Sequence, residues 1–262
     1  MEINPASSEK GGRLVGRVAI VTGAGSGIGR ATACHLASLG ARIVLNGRTE
    51  GPLRDVQGVI GSSNATCVVG NAATMSTIGS LFAAATGAFG APADLVVVNA
   101  GRGLAGSATT SSEEDWEALI EINITGSARL IRAAGLHFLS FPISTTIPKD
   151  IVIMGSIVGK HVSAFSTIYS STKAAVASLA EGTRRELGPK GVRVTIVEPG
   201  FVKTDFQNVA GYEEKWFSEL VAEVGPVLDP DDVARLIGFI VQQPPHVHLN
   251  EVVIRPVRQI YP

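Results

Sequence analysis

The chain has 262 residues, with 22 Lys and Arg against 23 Asp and Glu, a formal net charge of −1. That balance argues against nucleic acid or an anionic membrane as the main partner, and the length is enough for one large α/β domain with a buried core. Aromatics are 5% of the chain and glycines number 30, which suits helices packed closely on a parallel sheet rather than a disordered chain.

The first thirteen residues, MEINPASSEKGGR, have no apolar run of the secretory type and read as a short disordered arm. From residue 14 to 262 one domain is expected. RVAIVTGAG is a buried strand ending in glycines, GRATACHLASLG a helix closed by Gly40, and ARIVLN a second strand. A helix starting near TEGPLRDV leads to a third strand, NATCVV; STIGSLFAAATGAFG is helical and ADLVVVNAG a fourth strand. SSEEDWEALIEINITGSARLIRAAGLHFL reads as one long helix, capped by Ser111 or Ser112, with Glu113, Glu114 and Asp115 at its positive end. The proline-containing loop SFPISTTIPKD precedes a fifth strand, DIVIMGS, which Ser156 ends. STIYSSTKAAVASLAEG is the next helix, VRVTIVEPG a sixth strand, DPDDVARLIGFIV a capped helix and NEVVIRP a last strand.

This alternation is the pattern of a doubly wound, Rossmann-type α/β domain, a parallel sheet of about seven strands with helices on both faces. No run approaches the eighteen apolar residues of a membrane span. Cys34 and Cys67 are isolated thiols, which fits a reducing compartment, and the cytoplasm is the expected location. His246 and His248 can share a strand face but have no third ligand nearby, so no metal site is expected.

After the first strand stands TGAGSGIG. Gly23 allows a tight turn. Gly27 and Gly29 remove side chains where backbone must approach a pyrophosphate and where helix meets strand. The following helix offers its unpaired N–H groups and positive end to phosphate. Tyr169 and Lys173, four residues apart, share a helix face. An ammonium beside a phenol favours the phenolate and lowers its pKa, which makes the pair a candidate acid with its tuning cation. Ser156 can hydrogen-bond a substrate oxygen from the carboxyl end of a strand. Asn123 sits mid-helix, where asparagine is a poor choice by propensity, and so points to function or a packing need.

TGAGSGIG, NAG at Asn99, Ala100 and Gly101, Ser156, YSSTK and EPG at Glu198 to Gly200 occur in this order. Together they resemble the short-chain dehydrogenase/reductase family from about Arg17 to Arg255. The ending HLNEVVIRPV also resembles members that reduce carbonyls with NADP. The resemblance implies a catalytic tetrad of Asn123, Ser156, Tyr169 and Lys173, with Asn123 holding a proton-relaying water and Lys173 bonding the nicotinamide ribose. It implies cofactor contacts from Gly23, Gly25, Ser26, Gly27, Ile28, Gly29, Asn71, Ala72, Asn99, Ala100, Gly101, Tyr169, Lys173, Pro199, Gly200, Val202 and Thr204. It also implies a homodimer or homotetramer built through the helices around Asn123 and Tyr169.

The second strand ends without the carboxylate that binds the ribose hydroxyls of NAD: Gly47 stands there and Arg48 follows. A guanidinium binds a 2′-phosphate through several donors, so NADP(H) is the expected cofactor, with NAD(H) the alternative. Ser26 stands where many NADP-using relatives carry Arg or Lys, and Asn71-Ala72 where relatives have Asp-Val. Asn71 is neutral but can still hydrogen-bond adenine. The first residue of the family's usual N-N-A-G is Val98 here.

The segment from 203 to 225 reads as a substrate lid. Phe165, Phe201, Phe206, Trp216 and Phe217 are candidates for an apolar wall or for core contacts, and Arg102, Lys160, His161 and Lys203 for anchors of an acidic substrate. The expected function is hydride transfer between NADP(H) and a small ketone, aldehyde or secondary alcohol, with Tyr169 as general acid/base. Two alternatives stay open: a dinucleotide-binding regulatory protein without turnover, and a pathway reductase for a 3-oxoacyl, steroid or sulfonated aldehyde substrate.

Overall fold

The computed structural model describes residues 14–142, 146–212 and 214–260; the N-terminal arm expected from the sequence lies outside them. Seven parallel strands form one sheet: β1 Val18–Thr22, β2 Arg42–Gly47, β3 Ala65–Val69, β4 Leu95–Val98, β5 Lys149–Met154, β6 Val192–Pro199 and β7 Glu251–Ile254. Their order across the sheet is β3-β2-β1-β4-β5-β6-β7. The strands are short runs of β-branched residues because helices cover both faces and leave no polar side. Successive side chains point to opposite faces. Ala19 and Val21 therefore join Ile43 and Leu45 in one core, while Val18 and Ile20 join Val96 and Ile151 in the other.

The first core is closed by α1 Gly27–Ser38, α2 Glu50–Ile60 and α9 Pro230–Val241, through Leu36, Leu53, Val56 and Ile237. The second is closed by α3 Met75–Phe89, α5 Ser127–Leu139 and α6 Thr167–Leu187, through Ile78, Leu81, Leu130, Phe138 and Val176. Two short helices, α4 Trp116–Ile120 and α7 Phe206–Val209, and the longer α8 Glu214–Val224 stand near the carboxyl ends of the strands. The cap expected at Asp229 forms a reciprocal capping box with Asp232.

The amino ends of the central strands carry charge of alternating sign. Arg17 bonds Asp94 at 2.7 Å and Asp150 at 2.9 Å, and Arg193 bonds Asp150 at 2.7 Å. Arg17, Asp150 and Arg193 are buried, and the guanidinium groups also donate to the carbonyls of Val241, Pro148 and Val247. Each buried charge is thus paired and hydrogen-bonded, the condition under which burial is tolerable. This network clamps the sheet at the edge opposite its carboxyl ends and leaves those free for a site.

The expected long helix over 111–139 is not uninterrupted. A 3-10 turn at Glu113–Asp115 precedes α4, and a π-helical turn, Glu121–Gly126, separates α4 from α5. Neither serine caps it by its side chain: Ser112 makes no capping bond, and Ser111 Oγ accepts from Trp116 Nε1 at 3.1 Å. The wide turn is centred on Asn123, and such turns arise where a packing or functional demand overrides regular helix geometry.

Candidate active site

Strand order reverses between β1 and β4, and in a doubly wound sheet ligands bind at that point, outside the carboxyl ends. One cavity of about 1020 Å³ opens there. That is at the upper end of the ~300–1,000 Å³ of a usual ligand pocket. Every residue expected to touch a cofactor lines it: Gly23 to Gly29 apart from Ala24, then Arg48, Asn71, Ala72, Asn99 to Gly101, Tyr169, Lys173, Pro199, Gly200, Val202 and Thr204.

The glycine loop is held by contacts that only glycine permits. Gly23 adopts φ +66°. A Cβ on Gly29 would collide with the Gly23 carbonyl oxygen and stand 2.6 Å from Asn99 Nδ2. Thr22, buried at the end of β1, accepts from the backbone N–H of Asn99 at 3.0 Å and of Ala100 at 3.1 Å. Asn99 Nδ2 donates to the Thr22 carbonyl at 2.8 Å. Ser26 makes no side-chain capping bond, so the first N–H groups of α1 remain to meet an acceptor from the cavity. Asn46 also lines the cavity. Its Nδ2 donates to the carbonyls of Val68 and Gly70, while its buried Oδ1 has no partner among the described residues. A glycine cradle, an uncapped helix start and an orphaned acceptor are what a dinucleotide with phosphate and hydroxyl groups would satisfy.

Arg48 is exposed beyond β2 and makes no ion pair among the described residues, so its guanidinium is uncommitted. Asn71 Oδ1 accepts from the Ala73 N–H at 3.0 Å, which closes a turn and leaves Nδ2 as its free group.

Ser156 lies two residues beyond β5 rather than ending it, at the start of the 3-10 turn Ile157–Gly159. Its Oγ accepts from the Val158 N–H at 3.4 Å, and Ser156 and Tyr169 both line the cavity. Gly159 is required because a Cβ there would meet the backbone of Lys173 at 3.0 Å. The close approach brings the serine loop onto the helix that carries Tyr169 and Lys173.

The ionisation of this pair differs from expectation. Burial pushes the Tyr169 phenol above its ordinary value of 10.0; the nearby Ser156 hydroxyl opposes the shift without cancelling it. Burial also lowers the Lys173 ammonium to about 8. Lys173 Nζ stands 5.9 Å from the centre of the tyrosine ring and donates to the Met154 carbonyl at 2.8 Å. Its charge is spent on that carbonyl, so desolvation governs both groups.

Asn123 alone of the four tetrad positions does not open on the cavity. It is 1% exposed, its Oδ1 accepts from the Arg102 N–H, and its Nδ2 donates to the Arg102 carbonyl, each at 2.9 Å. Nδ2 also donates to Thr172 Oγ1 at 3.0 Å, which in turn donates to the Tyr169 carbonyl at 2.7 Å. Asn123 therefore joins the segment after β4 to the tyrosine helix.

The Tyr169 end of the cavity is walled by Phe165, Phe206, Tyr212 and Leu220. Phe201 also lines the cavity; the side chains of Trp216 and Phe217 lie outside the described residues. Of the expected anchors only Arg102 lines the cavity, and it is paired with Asp115 at 2.7 Å. Lys160 turns away to the buried Glu198, 2.8 Å from Oε2, and to Glu251. His161 and Lys203 are exposed outside the lining. The roles of Asn46 and Tyr212 were missed from sequence, although an asparagine closing the apolar run RIVL was a usable signal.

The family model of the short chain dehydrogenases matches residues 17–215, and the chain belongs to that family. It is 33% identical over 247 residues to an uncharacterized oxidoreductase of Staphylococcus aureus, covering 93% of this chain and 99% of the relative. The solved closed form of a serine dehydrogenase complexed with NADP+ superposes with a TM-score of 0.81 at 27% identity, over 93% of this chain and 96% of that one. A 3-ketoacyl-(acyl-carrier-protein) reductase from Brucella melitensis complexed with NADH superposes at 0.83 and 26% identity, over 94% and 100%. The chain is an oxidoreductase of this family and takes a nicotinamide dinucleotide. Among the described residues no helix is long and apolar enough to cross a membrane, and no group of three or more His, Cys, Asp or Glu could hold a metal.

Proposed function

We propose that the protein transfers a hydride between NADP(H) and a ketone, an aldehyde or the corresponding secondary alcohol. The observation that carries this is the convergence of Ser156, Tyr169 and Lys173 on the cavity that the glycine loop opens. The bound nicotinamide dinucleotide supplies or accepts the hydride.

The remaining chemistry belongs to side chains. A carbonyl oxygen that gains charge as its carbon is reduced needs a hydrogen-bond donor and then a proton. Tyr169 keeps its proton at neutral pH, the more so because burial raises its pKa, so it is the donor in the direction of reduction. Ser156, beside the phenol on the same cavity wall, offers a second contact to the same oxygen. Lys173, lowered to about 8, changes protonation near neutrality and can return a proton towards the tyrosine. Asn123 holds the Arg102 segment against the tyrosine helix and keeps the wall registered.

Arg48 supports NADP(H) over NAD(H), because an exposed guanidinium with no carboxylate partner suits a 2′-phosphate. The chain from about Lys203 to Gly225 acts as the lid over the substrate. The backbone flanking it is tied together where the Lys203 N–H donates to the Leu228 carbonyl at 2.8 Å and the Leu228 N–H to the Phe201 carbonyl at 3.0 Å. The protein works on a small molecule, in the cytoplasm, as a homodimer or homotetramer.

The test follows nicotinamide absorbance with NADPH and NADH in parallel against ketones and aldehydes, with Tyr169→Phe as control. The variant should lose ~10²–10⁴-fold in turnover, the usual worth of a positioned general acid, and still bind cofactor. Full activity in Tyr169→Phe would refute the assignment.

A further inference from the structure

The Tyr169 end of the cavity carries a charge pattern that selects among substrates. Five charged side chains line the cavity: Arg48, Arg102, Glu121, Lys173 and Asp205. Arg48 follows β2 at the glycine-loop end. Arg102 is neutralised by Asp115 at 2.7 Å, and Glu121 by Arg129 at 2.7 Å. Lys173 donates to the Met154 carbonyl. Asp205 is negative and only accepts from Asn208 Nδ2 at 2.9 Å. Among the described lining residues at the Tyr169 end, Arg102 is paired with Asp115 and the Lys173 ammonium is held by the Met154 carbonyl, while the Asp205 carboxylate on the lid opposes a carboxylate, phosphate or sulfonate on a substrate.

Most of the rest of that wall is apolar, interrupted by Ser163, Ser166 and Gln207. Val158, Phe165, Phe206, Val209, Tyr212 and Leu220 line it. The Phe206 ring packs against Tyr169 with centroids 5.6 Å apart, so an aromatic face stands beside the reacting oxygen. Phe165 and Val209 are 68% and 57% exposed although both line the cavity. Large apolar side chains left in water at the rim of a pocket mark a surface that an apolar ligand covers.

The geometry points to an uncharged substrate, a ketone or secondary alcohol bearing an aromatic or bulky apolar arm that lies along Phe206 and reaches the Phe165–Val209 rim. This rests on the hydride-transfer reading and narrows it against 3-oxoacyl-phosphopantetheine and sulfonated substrates. An ion pair lost on entering a low-dielectric cavity has to be replaced, and this wall offers no replacement.

The experiment uses two ketones of one shape, acetophenone and 4-acetylbenzoate, with acetone as the version lacking the arm. Binding to Tyr169→Phe protein saturated with NADPH is measured by calorimetry, so that affinity is read without chemistry. Wild-type NADPH oxidation is followed alongside. Acetophenone should bind at least tenfold more tightly than either 4-acetylbenzoate or acetone, and Val209→Asp should cut that preference. Equal or tighter binding of 4-acetylbenzoate, reversed by Arg102→Leu, would overturn the inference and make Arg102 an anion anchor. Binding of none of the three at millimolar concentration would overturn it too. Tight binding of acetophenone without any wild-type turnover would instead sink the hydride-transfer reading and leave the apolar selectivity of the wall standing.

Discussion

Lys173 is held in the site against its own solvation, and removing its charge tests that directly. Burial lowers its ammonium from 10.5 to about 8. A group whose folded pKa lies below its unfolded one binds fewer protons in the native state, so stability rises with pH between the two values. Below the folded value both states are protonated and the penalty is complete. At pH 7 it amounts to about 2.5 pKa units, or ~3 kcal/mol. At pH 9.5 the same linkage leaves less than half of that. Tyr169, raised by burial, acts in the opposite sense only above the unfolded tyrosine value near 10, and the Cys34 and Cys67 thiols, also raised by burial, are common to variant and wild type and cancel in their difference. Lys173→Met keeps most of the stem and gives up the bond to the Met154 carbonyl, a loss of ~1 kcal/mol. The variant should therefore be more stable than wild type by ~2 kcal/mol at pH 7, with most of that advantage gone at pH 9.5. Urea unfolding of cofactor-free protein at the two pH values reads both differences, provided the m-values agree. A variant less stable than wild type by the same margin at both pH values would refute the argument, because the lysine would then be held by contacts and not opposed by burial.

Gly29→Ala puts a methyl into the Gly23 carbonyl and the Asn99 amide; NADPH affinity by fluorescence titration should fall at least ~10-fold, and an unchanged affinity would show that the loop gives way. Arg48→Leu should raise KM for NADPH by ~10–100-fold, the worth of charge-assisted bonds, and leave KM for NADH alone; equal effects on both would remove Arg48 from the phosphate site. Asn123→Leu strands the N–H and carbonyl of Arg102, so the urea midpoint should drop by the equivalent of ~2–4 kcal/mol from two unsatisfied backbone groups. A wild-type midpoint would mean that the Arg102 segment finds other partners.

What was legible in the sequence was what local chemistry dictates. Strands buried on both faces must be unbroken apolar runs, and VAIVT, RIVL and DIVIM are such runs. A backbone that cradles phosphate must lack side chains, so TGAGSGIG announced its own place. What escaped depends on partners far apart in the chain. The Asn123 residue was noticed as a misfit in a helix, but the π-helical turn around it exists because its side chain must reach both Arg102 and Thr172, 49 residues on. The misfit was visible and its cause was not. Glu198 is the same kind of sign, a carboxylate inside an apolar strand that required a cation. Its partner Lys160, by residue type a candidate substrate anchor, is withdrawn from the cavity by the salt bridge to Glu198.

The ionisation of Tyr169 escaped for a different reason. Helical spacing fixes which residues share a face, but not where a flexible four-carbon stem places its charge. The Met154 carbonyl captures that charge, and the desolvation of the phenol then dominates a Coulomb attraction that spacing alone had suggested. A phenol kept protonated is the form that donates in the proposed reduction, and a lysine lowered to about 8 is mostly protonated at pH 7 and able to resupply that proton. The wall that buries Tyr169 is also the wall that excludes a charged substrate. On the proposed reading, the same apolar surface bears both on the protonation of Tyr169 and on which substrate it admits.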